Sequence, residues 1–392
     1  MRIAIFSDSF YPELSGISDS VIVLSKELAA RGHIIHFYAP KYSEKNYKKA
    51  GLAETNPVLG ANISFTRFAS VPYMTGTGQG RLVFPTGLRW LAMKKFKYDV
   101  IHSQLFFGAG LEALFAARFL NVPLVGTNHT AITAFLKYAP LRADWIENLM
   151  VSYVNWYYSK CKITTAPSNS VIEEMRRYGF KGDARVVSNP IDTGIFRPFA
   201  DKAALKKKFG FSDSTIIFAG RLSPEKNVDV LIRAMPQILK HAPGAMLAIA
   251  GHGQQLLELK GLANSLGAGE HVKFLGTLSK EDLSAAYNAS EVFAIASTSE
   301  TQGLVMLQAL ACGLPAVAVN ARGLPEYVNS QNGALAIPGN SADVAEKITF
   351  ILKDENLRAR LSANAIKSIE EFSPQNIASI WEGIYSKAVA KR

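Results

Sequence analysis

Ser297-Thr-Ser-Glu-Thr-Gln-Gly-Leu-Val-Met-Leu-Gln-Ala-Leu-Ala-Cys-Gly-Leu-Pro315 decides how this chain folds. It follows directly on one apolar run, 292–296, and leads directly into another, 316–320. Between the two runs stand a polar loop, a helix-forming stretch that begins near Gly303, and Gly313 where that stretch stops. Strand, loop, helix, turn and strand in this order make the unit from which helix-covered parallel sheets are built.

The same alternation runs outward in both directions. Strands are expected at 2–6, 34–38, 63–68, 100–103, 124–127 and 163–166, and again at 214–219, 245–250, 271–275, 292–296 and 316–320. Helical patterns lie between them. In 18–31, for example, Val21, Leu24 and Leu28 recur every three to four residues, and Gly32 supplies the stop. The stretch Asn189-Pro-Ile-Asp-Thr-Gly-Ile-Phe-Arg-Pro198 has two prolines, a glycine and no period, and reads as a linker. The chain is therefore expected to be α/β, with two doubly wound, Rossmann-like domains over 1–195 and 196–373. A last helical pattern over 374–392 either closes the second domain or crosses back to the first.

Bulk properties narrow the class. Of 392 residues, 48% are hydrophobic, enough for two packed cores and too many for a disordered chain. No apolar run reaches the roughly 18 residues of a membrane span, and no leader-like segment precedes the first strand. Two cysteines, Cys161 and Cys312, make no disulfide framework, and no Cys/His cluster has metal-ligand spacing. A cytoplasmic protein is expected. The net charge of +11 is concentrated in residues 1–200, which carry +9. Such an excess suits an anionic membrane or a phosphorylated ligand, and equally a solvated surface. Nucleic acid is set aside, because no recognition motif accompanies the charge.

Ligands of open parallel sheets bind beyond the carboxyl ends of the strands, and four segments there carry suitable chemistry. In 297–315, the helix start at Gly303 and Leu304 offers free N–H groups and the positive dipole end to a phosphate. Gln302 and Gly303 bring backbone close to the ligand, Glu300 is placed to accept sugar hydroxyls, and Gln308 to reach a ribose. In Phe218-Ala-Gly-Arg-Leu-Ser-Pro-Glu-Lys-Asn227, Arg221 and Lys226 supply the cations that a departing diphosphate needs. Lys226 enters a helix start, a place the dipole makes unfavourable for a cation unless a ligand offsets it. In Ser7-Asp-Ser-Phe-Tyr-Pro-Glu-Leu-Ser-Gly-Ile17, Gly16 permits close backbone approach, and Asp8 is a candidate for the acceptor side. In Gly126-Thr-Asn-His-Thr-Ala131, His129 stands at a strand end between Thr127 and Thr130. Each has a plainer reading: a helix-capping glutamate, surface cations, a turn glycine, a structural histidine.

Together the four segments resemble the retaining family 4 glycosyltransferases of the GT-B fold, in which two Rossmann-like domains face a central cleft. In that family two glutamates are separated by seven intervening residues; Glu300 matches the first, and Gln308 replaces the second. Gly220-Arg221-Leu222 and Glu225-Lys226 match the family's phosphate-holding motif. Gly16 matches the glycine laid against the diphosphate, with Ser15 in place of a second glycine. His129 matches the histidine beside the donor sugar's hydroxymethyl group. The resemblance covers nearly the whole chain. It implies transfer of a hexose from a UDP- or GDP-sugar, with an N-terminal acceptor-side domain and a C-terminal donor-binding domain. No Asp-x-Asp pair stands ready to hold a metal against the diphosphate, so no cofactor is expected beyond the nucleotide-sugar co-substrate.

The acceptor is less constrained. Arg81-Leu-Val-Phe-Pro-Thr-Gly-Leu-Arg-Trp-Leu-Ala-Met-Lys-Lys-Phe-Lys97 mixes five cations with Phe84, Trp90 and Phe96. It resembles the basic surface helix of diacylglycerol glucosyltransferases and phosphatidylinositol mannosyltransferases. Arg81, Arg89, Trp90, Lys94, Lys95 and Lys97 are therefore expected to meet an anionic membrane, at the inner face of the cell membrane, and the acceptor to be a membrane lipid such as diacylglycerol or phosphatidylinositol. Two alternatives remain: a soluble sugar acceptor, or a weakly catalytic nucleotide-sugar-binding protein, since Gln308 departs from the family pattern. The aromatic stretch 144–161 is expected to be a long helix packed in the core or at the domain interface.

Overall fold

The computed structural model describes residues 1–13, 15–49, 52, 56–73, 80–130 and 144–390. The chain divides into two compact units, Met1–Pro190 with Pro374–Arg392, and Ile191–Ser373.

The first unit is built on a seven-stranded parallel sheet. Its strands are β1 (Arg2–Phe6), β2 (Ile34–Pro40), β3 (Ile63–Phe68), β6 (Val100–Ser103), β7 (Leu124–Thr127), β8 (Ile163–Ala166) and β9 (Ala184–Val186), in the order β3-β2-β1-β6-β7-β8-β9. A separate antiparallel hairpin joins β4 (Ser70–Pro72) to β5 (Arg81–Val83). Residues Ile3 to Phe6 are wholly buried, as expected of a central strand covered on both faces. The strand order reverses at β1, between β2 and β6, and that reversal opens a crevice at the carboxyl ends. Helix Gly16–Ala30 starts there. The Ser15 hydroxyl accepts from the Ser18 N–H at its start, and Gly32 leaves its end at φ +89°.

Helix Pro374–Ala390 belongs to this first unit and lies against helix Gly16–Ala30. Arg31 clasps it from the side, reaching Glu382 at 2.8 Å and Ser379 at 2.9 Å, while His33 holds the other Glu382 oxygen at 2.8 Å. Its buried face carries Ile377, Trp381, Ile384 and Tyr385.

The second unit has a six-stranded parallel sheet. It comprises β10 (Thr215–Ala219), β11 (Met246–Ala250), β12 (Val272–Gly276), β13 (Val292–Ile295), β14 (Ala316–Val319) and β15 (Gly333–Ala336), in the order β12-β11-β10-β13-β14-β15. The reversal falls at β10, between β11 and β13. Helix Leu304–Ala311 is short, and its apolar face fills the core with Met306, Leu307 and Leu310.

Two segments differ from the sequence expectation. Residues 81–97 do not form one surface helix: they divide into β5, a single turn Trp90–Met93 and the 3-10 turn Lys94–Phe96. Pro85 and Gly87 interrupt the helical run, and the buried Glu112 carboxylate gathers Thr86 N–H, Thr86 Oγ1, Gly87 N–H and the Arg89 guanidinium. Helix Asp144–Ser159 buries Tyr157 and Tyr158 completely but leaves Trp145 67% and Trp156 45% exposed, so only part of its aromatic set packs inside. Among the described residues, no helix is long and apolar enough to cross a membrane.

Candidate functional site

In the second unit the candidate residues converge at the reversal of the sheet. The loop after β10 leads through Gly220 (φ +152°) to Arg221 and into the 3-10 turn Pro224–Lys226. The loop after β13 carries Glu300 to the start of helix Leu304–Ala311. Side chains tie the two loops together. Asn227 Nδ2 donates to the Ala296 carbonyl at 3.1 Å, and the Ser297 hydroxyl donates to the Glu225 carbonyl at 3.2 Å. Lys226 Nζ lies 2.5 Å from Glu300 Oε1, with both side chains only about one-sixth exposed, at 16% and 14%.

That ion pair explains how Lys226 survives just ahead of helix Val228–His241, where the dipole opposes a cation. Burial pushes the Glu300 carboxyl up. The Lys226 charge and hydrogen bond, the Ser297 hydroxyl and the Arg221 charge outweigh it and hold the group below the usual glutamate range. Glu300 is thus a fixed carboxylate at neutral pH. Arg221 is more open, 44% exposed, and only loosely met by Glu225 at 3.6 Å. Two cations therefore stand at the end of β10, one locked and one free to move onto a ligand.

Gly303 caps helix Leu304–Ala311 at φ +78°, and a Cβ there would come within 2.8 Å of Leu324 Cδ2. Only glycine fits both the left-handed backbone and the close packing. Leu304 begins the helix, whose first N–H groups have no acceptor within it. Gln302 is buried beside them. Gln308 is 8% exposed, and its amide makes no hydrogen bond among the described residues. Sequence reasoning passed over Gly251, in the loop after β11. A Cβ there would meet the Gly220 carbonyl oxygen at 1.8 Å, so a glycine is what allows the two loops to touch. The spacing Gly251-His252-Gly253 at a strand end was the available signal.

In the first unit the reversal at β1 gathers a second set. Gly16 opens helix Gly16–Ala30 and is exposed. Asp8, expected on the acceptor side, is committed elsewhere: its carboxylate oxygens accept from Ala109 N–H at 2.7 Å and Gly110 N–H at 3.3 Å. It caps helix Gly108–Leu120, whose own N-cap residue Phe107 offers no side-chain cap. Burial raises its carboxyl to about 6 against the lowering pull of those N–H groups.

His129 is buried just past β7, with Nε2 at 2.8 Å from Gln104 Oε1. Burial brings its imidazole down to about 4, so the ring is neutral at pH 7. It lines a narrow crevice together with Ser20, Gln104, Thr127, Asn189 and Trp381. Gln104 and its neighbour His102 were missed from the sequence. Their signal was position, at the carboxyl end of β6 beside the strand reversal.

The membrane-facing expectation is corrected in part. Arg81 donates to Ser70, through Nε to the hydroxyl at 3.1 Å and through its other nitrogen to the carbonyl. Arg89 lies 4.2 Å over the Phe68 ring and 3.3 Å from Glu112. Both are internal cations. Trp90 stacks on Phe119 at 5.1 Å. Lys94, Lys95 and Lys97 remain exposed, and beside them in sequence so do Phe84, Leu88 and Leu91, which were not all expected.

Known proteins match this arrangement. The Glycosyltransferase Family 4 model matches residues 14–194, and the Glycosyl transferases group 1 model matches residues 201–368. An alpha-monoglucosyldiacylglycerol synthase of Streptococcus pneumoniae is 30% identical over 81% of this chain and 71% of its own length. One from Acholeplasma laidlawii is 26% identical over 100% of this chain and 98% of its own. A GDP-mannose-dependent monoacylated alpha-(1-6)-phosphatidylinositol monomannoside mannosyltransferase of Corynebacterium glutamicum is 36% identical over 43% of this chain and 46% of its own. Among solved structures, Anabaena HepE in complex with UDP and glucose superposes with a TM-score of 0.77 at 20% identity, covering 99% of this chain and 100% of that one. Sucrose-phosphate synthase from Thermosynechococcus elongatus superposes with a TM-score of 0.80 at 20% identity over the full length of both chains. The shared fold is GT-B.

Proposed function

We propose, from the premise that this chain belongs to the family 4 glycosyltransferases, that it moves a hexose from a UDP- or GDP-sugar to the hydroxyl of a membrane lipid such as diacylglycerol or phosphatidylinositol, with retention of configuration. The observation that carries the reading is the Arg221, Lys226 and Glu300 cluster beside the helix start at Gly303 and Leu304.

The chemistry follows from where charge develops. As the sugar C1–O bond breaks, the diphosphate takes up the bonding electrons. Arg221, Lys226 and the N–H groups from Gln302 to Leu304 neutralise it without a metal. The acceptor oxygen attacks C1 from the face the diphosphate leaves, and its proton passes to the departing phosphate oxygen. Glu300 accepts hydrogen bonds from sugar hydroxyls and so locates the ring, rather than attacking it. The Gln308 amide takes a ribose hydroxyl. In the first unit, Gly16 offers backbone to a phosphate, and neutral His129 takes the hydroxymethyl group of a sugar. Asp8 has no acceptor role in this scheme.

The lipid acceptor is supported by two relatives that are diacylglycerol-glucoside synthases by name and one that is a phosphatidylinositol mannoside mannosyltransferase by name. The surface agrees: Phe84, Leu88 and Leu91 at 58 to 64% exposure lie along the chain from Lys94, Lys95 and Lys97, an apolar and cationic mixture suited to an anionic bilayer. Peripheral attachment at the inner face of the cell membrane follows. A donor panel of UDP-, GDP- and ADP-sugars in a thermal-shift assay, followed by turnover with lipid vesicles or soluble sugars, tests donor and acceptor separately. Binding without turnover on any acceptor would leave only a nucleotide-sugar-binding protein.

A further inference from the structure

In the second unit, β10 and β11 stay paired beyond their last residues. Ala219 stands in register with Ala250. Gly220 N–H then donates to the Ala250 carbonyl at 2.9 Å, and Leu222 N–H donates to the His252 carbonyl at 3.1 Å. The register therefore runs on through Gly220 and Gly251 to Arg221 and His252. Gly220 at φ +152° and Gly251 at φ +142° turn the two chains at the same level, so the pairing survives the bend. Residues in register on neighbouring parallel strands send their side chains to the same face, with the backbones about 4.8 Å apart. His252 thus emerges beside Arg221.

Its backbone is fixed from both sides. A Cβ on Gly251 would fall 1.8 Å from the Gly220 carbonyl oxygen, and one on Gly253 would fall 2.2 Å from that of Leu222. Gln255 N–H donates to the Leu222 carbonyl at 3.1 Å, and Gly251 N–H to the carbonyl of Gly276, at the end of β12, at 2.7 Å. The imidazole carried on this rigid mount is exposed, and among the described residues it makes no hydrogen bond, ion pair or ring contact.

An imidazole beside a guanidinium gains no attraction from its neighbour; what the two share is an N–H to donate to an anion. Across the carboxyl edge of the sheet stand His252 after β11, Arg221 and Lys226 after β10, and Glu300 after β13. With the sugar at Glu300, the phosphate bonded to it meets Lys226, 2.5 Å from that carboxylate. The second phosphate then lies further along the edge, where Arg221 and His252 stand together.

We propose that His252 is a further donor-binding residue, giving a ring N–H to the diphosphate alongside Arg221. The inference rests on the reading that Arg221 and Lys226 hold the diphosphate of a nucleotide-sugar.

The test is binding to the full-length chain. UDP and GDP are titrated by calorimetry into wild type, His252→Ala, His252→Gln and Arg221→Ala, and uridine and guanosine by NMR. For the diphosphate that binds wild type, His252→Ala should raise Kd roughly tenfold, the loss expected of one hydrogen bond to a charged group. The matching nucleoside should stay within about twofold. His252→Gln keeps an N–H donor and should lose roughly threefold, a loss that decides the matter even where the alanine variant folds poorly. Unchanged diphosphate affinity in both His252 variants, beside a weakened Arg221→Ala, would overturn the assignment and leave the diphosphate site standing. An equal loss for diphosphate and nucleoside would put the ring on the base or ribose and also overturn it. Failure of wild type to bind either diphosphate would overturn both readings.

Discussion

Removing Lys226 should damage the enzyme in two separable ways. The side chain lies 2.5 Å from Glu300 and is 16% exposed, so Lys226→Ala strands a carboxylate that is itself 14% exposed. Stranding a fully buried partner costs about 3–5 kcal/mol; with this residual solvent access, about 1–3 kcal/mol is expected. For a unit of this size that lowers Tm by roughly 3–9 °C. Loss of the cation from the departing diphosphate should separately lower kcat/KM by roughly 10²- to 10³-fold. Glu300→Gln removes the stranded charge, so Lys226→Ala/Glu300→Gln should regain most of the Tm and none of the turnover. Differential scanning calorimetry and a nucleotide-release assay on the three variants measure the two effects independently. Wild-type turnover in Lys226→Ala refutes the phosphate role. A double variant no more stable than Lys226→Ala refutes the coupling of the pair.

Other outcomes follow from the same geometry. Arg221→Ala should lose roughly 10²-fold in kcat/KM with an unchanged Tm, because its 44% exposed side chain supports little else; a matching loss of Tm would mark it as structural. The folded value of Glu300 lies below its unfolded value of 4.5, so its pairing contributes fully above that pH. The contribution drains as pH falls through the lower folded value, and Lys226→Ala/Glu300→Gln should flatten that acid limb in pH-dependent denaturation. Asp8 is displaced the other way, from 3.8 to about 6, so its titration makes the first unit less stable as pH rises across that interval; Asp8→Asn should remove the slope without altering donor KM. Gln308→Glu should lower donor KM, and an unchanged KM for every active donor would mean that the residue meets no ribose. Reversing Lys94, Lys95 and Lys97 to glutamate should abolish co-sedimentation with anionic vesicles at physiological salt, each cation contributing roughly 1 kcal/mol; retained binding would move the membrane contact elsewhere.

The central strands were legible because both faces of a parallel strand are buried. The run at 3–6 therefore carries no polar alternation to blur it, whereas 63–68, at the sheet edge, was legible from its alternation of Ile63 and Phe65 with Ser64 and Thr66; the structure has strands over 2–6, 63–68 and 100–103. β9 and β15 escaped because Ala184–Val186 is a short, half-exposed edge and Gly333–Ala336 is made of small residues. The segment 81–97 was misread for a long-range reason: its path is set by Glu112, on a helix that the local pattern cannot see. Arg221, Lys226, Glu300 and Gly303 were each visible from their motifs and strand-end positions. The Lys226–Glu300 pairing was not, since it joins residues 74 apart in sequence. Nor could Tyr385 be connected to His102, because only the return of helix Pro374–Ala390 to the first unit brings them together.

The central claim is retaining transfer to a lipid by this chain's own cations, and one experiment meets it directly. The chelator-treated protein is incubated with UDP-glucose or GDP-mannose and vesicles containing diacylglycerol or phosphatidylinositol, and the anomeric configuration of the lipid product is read by NMR. The account predicts a glycolipid whose new linkage has the α configuration of the donor, formed undiminished in excess chelator. A β-linked product, a strict need for added divalent metal, or glycosylation of soluble sugars alone would contradict it.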